Sequence, residues 1–218
     1  MTSPEYELLA QLARPNHEQI CTNIPVVEEG EAEGALLEAY ESFRKNFGRP
    51  HVPGILKCFS SSPTLLREIM AMSSTLLFSD GHLGRRRKEM IATYVSKLND
   101  CPYCFDSHAF FLCVHGGGTT VQPILDDRLD SVEINSAERL LLEFVSKVNC
   151  ASNLIAIQDV MALRDAGWSD DQIAEAVHVA AMFAFFNRVA NAFGLTSQGL
   201  LNLRPVAVPG NDADSFEH

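Results

Sequence analysis

Apolar side chains recur every three to four residues along most of this chain, the spacing that lines one face of a helix, and no stretch alternates convincingly between apolar and polar as a half-buried strand would. The pattern predicts helices over about 34–47, 63–78, 84–98, 102–115, 136–149, 155–166 and 170–193. Pro50, Pro53, Pro63, the Gly116-Gly117-Gly118 run and Gly167 fall between them as breaks. Ser169 followed by Gln172 forms a capping box for the last helix, Asp170 and Asp171 suit its positive end, and Gly194 suits its stop. The expected class is all-α: residues 24–200 as one helical domain, 1–23 as a partly irregular N-terminal segment, and the Pro/Gly/Asp-rich 201–218 as a disordered tail.

Two features refine that picture. Val95-Ser96-Lys97-Leu98-Asn99 recurs as Val145-Ser146-Lys147-Val148-Asn149, fifty residues later. Extending the alignment sets Cys101, Cys104 and His108 against Ala151, Leu154 and Gln158, so the second copy reads as a degenerate helical-hairpin repeat without the reactive side chains. The stretch 176–186 is apolar nearly all round, with His178 its only polar member. Such a helix is central or lies in a subunit interface, so a homo-oligomer is expected.

With 218 residues the chain is long enough for a substantial core. Its net charge of −11 argues against nucleic acid or an anionic membrane surface as a partner. Residues 1–20 lack the basic start and apolar run of a secretory signal, and 176–186 is too short to span a bilayer. Six cysteines are too few for a disulfide scaffold at this length. A reducing cytoplasmic setting is expected, where a CxxC pair is catalytic or metal-binding more often than structural.

That pair is Cys101-Pro102-Tyr103-Cys104, with His108 one turn beyond and Glu89 twelve residues before. Pro102 suits the first position of a helix, which makes Cys101 its N-cap and puts Cys104 in the first turn. A helix N-terminus favours a thiolate, but its roughly 0.3–1 kcal/mol is less than one pKa unit. Moving a thiol from about 8.5 to about 6.5 requires roughly 2.7 kcal/mol, so a second group must contribute. His108, four residues after Cys104 on the same helix face, is the nearest candidate, as base or as imidazolium.

The other candidates read more plainly. Glu89 lies opposite the stripe Met90, Ile91, Tyr94, Val95 and Leu98, as a solvated glutamate would, yet its face also carries the small Ala92, Thr93 and Ser96, which would admit a neighbouring helix. His115 is roughly 10 Å along the axis from His108, too far to share a metal with it. His178 reads as a core histidine, and Cys21, Cys58, Cys113 and Cys150 as ordinary cysteines. Arg85-Arg86-Arg87-Lys88 reads as a solvated helix start, although cations there oppose the helix dipole unless an acidic surface, such as one on another subunit, faces them.

Glu89, eleven intervening residues, Cys101-x-x-Cys104, three more and then His108 resemble the core motif of the alkylhydroperoxidase AhpD-like branch of the carboxymuconolactone decarboxylase family. Leu83–Glu89, Ala166–Asp170 and Phe186–Gly194 resemble flanking segments of its peroxidase-related members, and with Ile24-Pro25 and the Val52-Pro53 stretch the likeness spans about residues 24–200. The resemblance implies an all-α fold assembled as a homo-oligomer, commonly a trimer or hexamer, with no haem or metal cofactor. It implies that Cys104 attacks a peroxide substrate and becomes a sulfenic acid, that Cys101 resolves it to a disulfide, and that His108 and Glu89 form a proton relay. The reductant would be a thiol or dithiol whose identity differs among members. Two alternatives stand beside thiol-dependent peroxide reduction. One is lactone decarboxylation, as in the sister branch, which does not rely on the cysteine pair. The other is a zinc site of Cys101, Cys104 and His108 with a fourth ligand from elsewhere.

Overall fold

The structure, a computed structural model, describes residues 22–203. Nine α-helices occur among them: α1 (Gly34–Phe47), α2 (Gly54–Lys57), α3 (Pro63–Leu76), α4 (Gly84–Leu98), α5 (Pro102–Val114), α6 (Gly118–Leu125), α7 (Ser136–Ala151), α8 (Ile157–Asp165) and α9 (Asp170–Phe193). Single 3₁₀ turns lie at Glu29–Glu31, Ser152–Leu154 and Leu200–Leu203. No strand is present among the described residues, and the class is all-α, as the periodicity predicts.

The seven predicted helices are all present, with ends shifted by no more than two residues. The capping box of α9 forms as expected: Ser169 Oγ accepts from Gln172 N at 3.2 Å, and Gln172 Oε1 accepts from Ser169 N at 3.0 Å. Gly194 ends that helix in the left-handed region at φ 76°, where glycine carries no Cβ penalty. Two helices escape the sequence pattern. α2 is a single turn, and α6 starts in the glycine run and contains Pro123, both helix breakers by local propensity. Burial of Thr120, Pro123 and Ile124 against the core outweighs that propensity.

The central element is α4, which packs against α5, α6, α7 and α9. This explains why every residue from Arg87 to Ser96 is buried although the helix opens on four cations. Each of those cations has an acidic partner within the chain, and no second subunit is needed to neutralise them. Arg85 pairs with Glu89 (2.6 Å), Arg86 with Glu138, and Lys88 with Glu175 (2.8 Å). Arg87 Nε lies 3.6 Å from Glu138, and its guanidinium lies over the Trp168 ring at 5.3 Å. Burying a charge is costly unless it is paired and hydrogen-bonded. Lys88 meets that condition by donating also to Leu76 O and Ser79 O, and Glu175 by accepting from His82 N and Leu83 N.

The α9 helix packs against α4, α7, α5 and α3. It is long and apolar enough over Asp170–Phe193 to cross a membrane, but 56% of its most apolar window is buried inside the fold, as in a core helix. Ala176, Val179, Ala180, Met182 and Phe183 face inward. His178 does not: it lies on the outer face with Ala181 and Phe185 rather than in the core. Its exposure follows from helical register, since it sits about 100° round the helix from both Val177 and Val179.

The fifty-residue echo has a structural counterpart. Asn99 Nδ2 donates to Asn149 Oδ1 at 3.0 Å, and Asn149 Nδ2 donates to Asn99 Oδ1 at 2.9 Å. A reciprocal amide pair between equivalent positions is what a local twofold between the ends of α4 and α7 produces. The correspondence stops there. Leu154, aligned with Cys104, ends a 3₁₀ turn, and α8 begins later than the alignment requires. At the C-terminal side, the ordered domain extends past residue 200, because Leu200–Leu203 forms a 3₁₀ turn. Residues 1–21, with Cys21, and 204–218 lie outside the described residues, and so do the expectations made for them.

Candidate active site

The turn between α4 and α5 sets the position of the cysteine pair. Asp100 adopts φ 46°, and Cys101 N donates back to Ser96 O at 2.9 Å, which closes the end of α4 and reverses the chain. Pro102 then opens α5 with Cys101 as its extended N-cap; the Cys101 side chain makes no capping hydrogen bond. Asn191 Nδ2 donates to Asn99 O at 3.1 Å, tying this turn to α9. Asn187, one helical turn earlier and fully buried, donates to Ser96 Oγ and accepts from Asn99 Nδ2, each at 3.0 Å. Asn187 and Asn191 therefore clamp the turn that carries Cys101.

Cys101 and Cys104 are both free thiols and both buried. A proton on Cys104 directed at the Cys101 sulfur pulls the Cys101 thiol down and pushes Cys104 up, burial adding to the latter. The order is the reverse of what the spacing of Cys104 and His108 by itself would give. The Asn187 amide lies in reach of both sulfurs and favours the thiolate of each. Sequence inspection missed this residue, because an asparagine within an apolar helix carries no signal of its own. Its one visible hint was the i, i+4 pairing with Asn191.

Glu89 is fully buried, so the reading of a solvated glutamate does not hold. The small face of α4 formed by Ala92, Thr93 and Ser96 is covered, as its composition allowed. Glu89 Oε2 lies 2.7 Å from His108 Nδ1, and Oε1 accepts from Arg85 Nε at 2.7 Å. Burial alone would raise the carboxyl pKa, but the charges of Arg85 and His108 outweigh it and hold the group at about 2, against an ordinary 4.5. An ionised carboxylate can only accept, so Nδ1 carries the hydrogen of this bond, and a neutral His108 keeps a free lone pair on Nε2. The His108 ring is held edge-on against Phe183, centroids 4.5 Å apart. An imidazole oriented by a buried carboxylate is the arrangement that makes histidine an effective general base next to a nucleophile.

Cys104 and His108 both line an apolar cavity of about 90 Å³, whose walls include Phe43, Phe47, Phe111 and Phe186. Cys101 is not part of that lining. Of the four residues singled out from sequence, Glu89 and His108 are thus in direct contact, Cys104 shares the cavity with His108, and Cys101 meets Cys104 outside the lining. Cys58 is buried, and its thiol, which donates to Gly54 O at 3.4 Å, is pushed up to about 12 by burial, as befits an inert core cysteine. His115 caps the C-terminus of α5. Among the described residues no group of three or more His, Cys, Asp or Glu side chains is placed to hold a metal ion.

Residues 63–116, which run from α3 to the end of α5, match the carboxymuconolactone decarboxylase family. An alkyl hydroperoxide reductase of Mycobacterium tuberculosis is 37% identical over 95 residues, which cover 43% of this chain. The aligned part is only about a quarter (26%) of that relative's length. The alkylhydroperoxidase AhpD core of a peroxidase-related protein from Ralstonia eutropha superposes with a TM-score of 0.74 at 25% identity, covering 89% of this chain and 100% of that one. A peroxidase-related protein from Silicibacter gives 0.68 at 25% identity, covering 83% and 93%. The matched segment contains Glu89, both cysteines and His108, and the shared architecture extends over most of the chain. Residues 63–116 are thus similar to the carboxymuconolactone decarboxylase family, and over most of its length the chain has the fold of the AhpD core.

Proposed function

We propose that this protein is a thiol-dependent peroxidase that reduces hydrogen peroxide or organic hydroperoxides through a Cys101/Cys104 dithiol–disulfide cycle. The observation that carries this reading is the shared cavity of Cys104 and His108, with His108 anchored at 2.7 Å on the buried Glu89 carboxylate. His108 Nε2 takes the Cys104 proton, and the thiolate attacks one peroxide oxygen. The O–O bond breaks, the departing alkoxide takes up the proton as an alcohol, and Cys104 becomes a sulfenic acid. The Cys101 thiol then attacks that sulfur, water leaves, and a disulfide forms. A thiol or dithiol reductant supplies two electrons and two protons to restore the pair. Cys104 is assigned the attacking role because it, and not Cys101, lines the cavity. The proton it shares with Cys101 must move before attack, and the oriented imidazole serves that step.

A count of free thiols before and after one equivalent of peroxide tests the cycle, with two thiols expected to be lost per peroxide. Cys104→Ser should abolish peroxide consumption. Cys101→Ser should consume about one equivalent and stall as a sulfenic acid that a dimedone-type probe captures on Cys104. An unchanged thiol count would refute the reading, as thiol-independent lactone decarboxylation requires, and a probe adduct on Cys101 in the Cys104 variant would reverse the assignment.

The reading includes a reducing, cytoplasmic setting and a homo-oligomer, a trimer or hexamer. The outer face of α9 carries the exposed Phe185 (42%), and α3, which packs against α9, carries the exposed Met72 (38%) and Leu65 (46%); these apolar side chains support assembly. Light scattering should report a mass well above 24.0 kDa, and Phe185→Lys should lower it. A charge at the fully buried Ala180 would disrupt the fold instead.

A further inference from the structure

Arg85 stands in the first turn of α4, four residues before Glu89. A cation there opposes the helix dipole, and burying it adds a desolvation cost, yet its side chain is only 10% exposed. Its contacts show what it is matched to. Nε and Nη2 lie 2.7 and 2.6 Å from Glu89 Oε1, and the guanidinium lies over the rings of Phe78 (4.7 Å) and Phe111 (5.8 Å). The other Glu89 oxygen, Oε2, meets His108 Nδ1 at 2.7 Å. Arg85 therefore reaches His108 through a single buried carboxylate, and it does not line the cavity that Cys104 and His108 share.

Charge balance gives this chain of contacts its chemistry. Arg85, Glu89 and a neutral His108 together carry no net charge. The neighbouring charged groups are matched elsewhere: Arg86 and Arg87 by Glu138 of α7, Lys88 by Glu175 of α9, and Asp106 of α5 by the backbone N–H groups of Gln198, Leu200 and Leu201. Helix α6 and the 3₁₀ turn Leu200–Leu203 carry no titratable side chain, and α9 presents Phe183 to His108. The cavity wall adds the Cys104 thiol and Arg49. Among the described residues, the charges that act on the Glu89 carboxylate are those of Arg85 and His108. Without Arg85, a fully buried carboxylate would stand uncompensated, and the Glu89–His108 pair would take up one proton from solvent. Wherever that proton rests, Nε2 is lost as a base. On Glu89, the carboxyl O–H donates to Nδ1 and the ring hydrogen moves to Nε2; on the ring, both nitrogens carry hydrogen.

Building on the peroxidase reading, we infer that Arg85 is a positioning residue for the reaction: by neutralising Glu89 on the oxygen opposite His108, it leaves the imidazole with its hydrogen on Nδ1 and a bare Nε2 to take the Cys104 proton. Arg85 touches neither the peroxide nor the sulfurs and acts through Glu89.

Stopped-flow rates of thiol oxidation by hydrogen peroxide in Arg85→Gln, from about pH 5 to 9.5, test this. The rate–pH profile should be displaced upward by about 1–2 units, so that oxidation is about 10–100-fold slower on the acidic limb and converges with the parent at the alkaline end. Arg85→Lys, which keeps the charge, should return the profile to within about half a unit of the parent. An undisplaced profile in Arg85→Gln, a loss equal at every pH as a purely structural role would give, or a lysine variant displaced as far as the glutamine one would overturn the inference. If Arg85→Gln does not fold, the double variant Arg85→Met with Glu89→Gln, which buries neither charge, serves instead. Its rate and profile should match those of Glu89→Gln within about threefold, and a further loss of about tenfold would overturn the inference by showing that Arg85 acts without Glu89. If the parent reduces no peroxide, the peroxidase reading falls, and the ¹⁵N resonances of His108, assigned by their absence from His108→Ala, decide the role of Arg85 independently. At about pH 8, Nε2 should be bare in the parent and protonated in Arg85→Gln, and the same Nε2 signal in both would remove the assignment.

Discussion

Replacing Glu89 by glutamine keeps the side chain's size and removes its charge. In the parent the carboxylate is fully buried, holds Arg85 on one oxygen and His108 on the other, and titrates at about 2 instead of 4.5. A carboxyl whose pKa is lower in the folded than in the unfolded state stabilises the fold above the unfolded value. That contribution disappears as pH falls through the folded value. The interval corresponds to about 3 kcal/mol at neutral pH, comparable to the roughly 3–5 kcal/mol lost when one partner of a buried ion pair is removed. Glu89→Gln should therefore be less stable than the parent in urea unfolding at neutral pH by about that amount. The difference should shrink as the pH is lowered from about 5 toward about 2, where the parent carboxyl also becomes neutral. The same variant removes the anion that orients His108, so thiol oxidation by peroxide should slow by about 100-fold, the lower end of general-base effects. A variant as stable as the parent at neutral pH, or a stability gap independent of pH, would refute the electrostatic account. An unchanged rate–pH profile would refute the relay.

His108→Ala should slow peroxide attack more than Glu89→Gln, by about 10²–10⁴-fold, with the rate–pH profile shifted upward because the thiol loses its base; stopped-flow measurements from about pH 5 to 9 check this. Gly81→Ala should be strongly destabilising for its size: Gly81 has φ 55°, and a Cβ there would lie 2.0 Å from Glu175 Oε1, displacing the carboxylate that neutralises the buried Lys88. A loss of about 2–3 kcal/mol is expected, or a thermal midpoint lower by about 5–10 °C, and a midpoint within one degree of the parent would contradict it. Asn187→Ala should cost about 1–3 kcal/mol, since Asn99 and Ser96 lose a buried partner. It should also move the pH midpoint of iodoacetamide alkylation upward, and an unmoved midpoint would show that the amide does not act on the thiols.

Local sequence alone determined seven of the nine described helices, the capping box and glycine stop of α9, and the placement of the cysteine pair at the start of α5. These features depend on interactions within a few residues, and a single sequence records them directly. The motif from Glu89 to His108 was equally legible, since its members lie within twenty positions of one another. Tertiary structure decided the environment of each group. Arg87, Lys88 and Glu89 look solvated on a helical wheel, yet they are buried, and the partners of Arg87 and Lys88, Glu138 and Glu175, come from α7 and α9, well separated in sequence. His178 looked like a core residue and faces outward, because neighbouring apolar residues cannot show which side of α9 the rest of the fold covers. Helix α6 formed against its own propensity through burial of Thr120, Pro123 and Ile124. The clamp by Asn187, and the bonds from Gln198, Leu200 and Leu201 N–H groups to the Asp106 carboxylate, join positions about ninety residues apart. A charge or an amide acquires its role from what it faces across the fold, and that depends on which helices pack together.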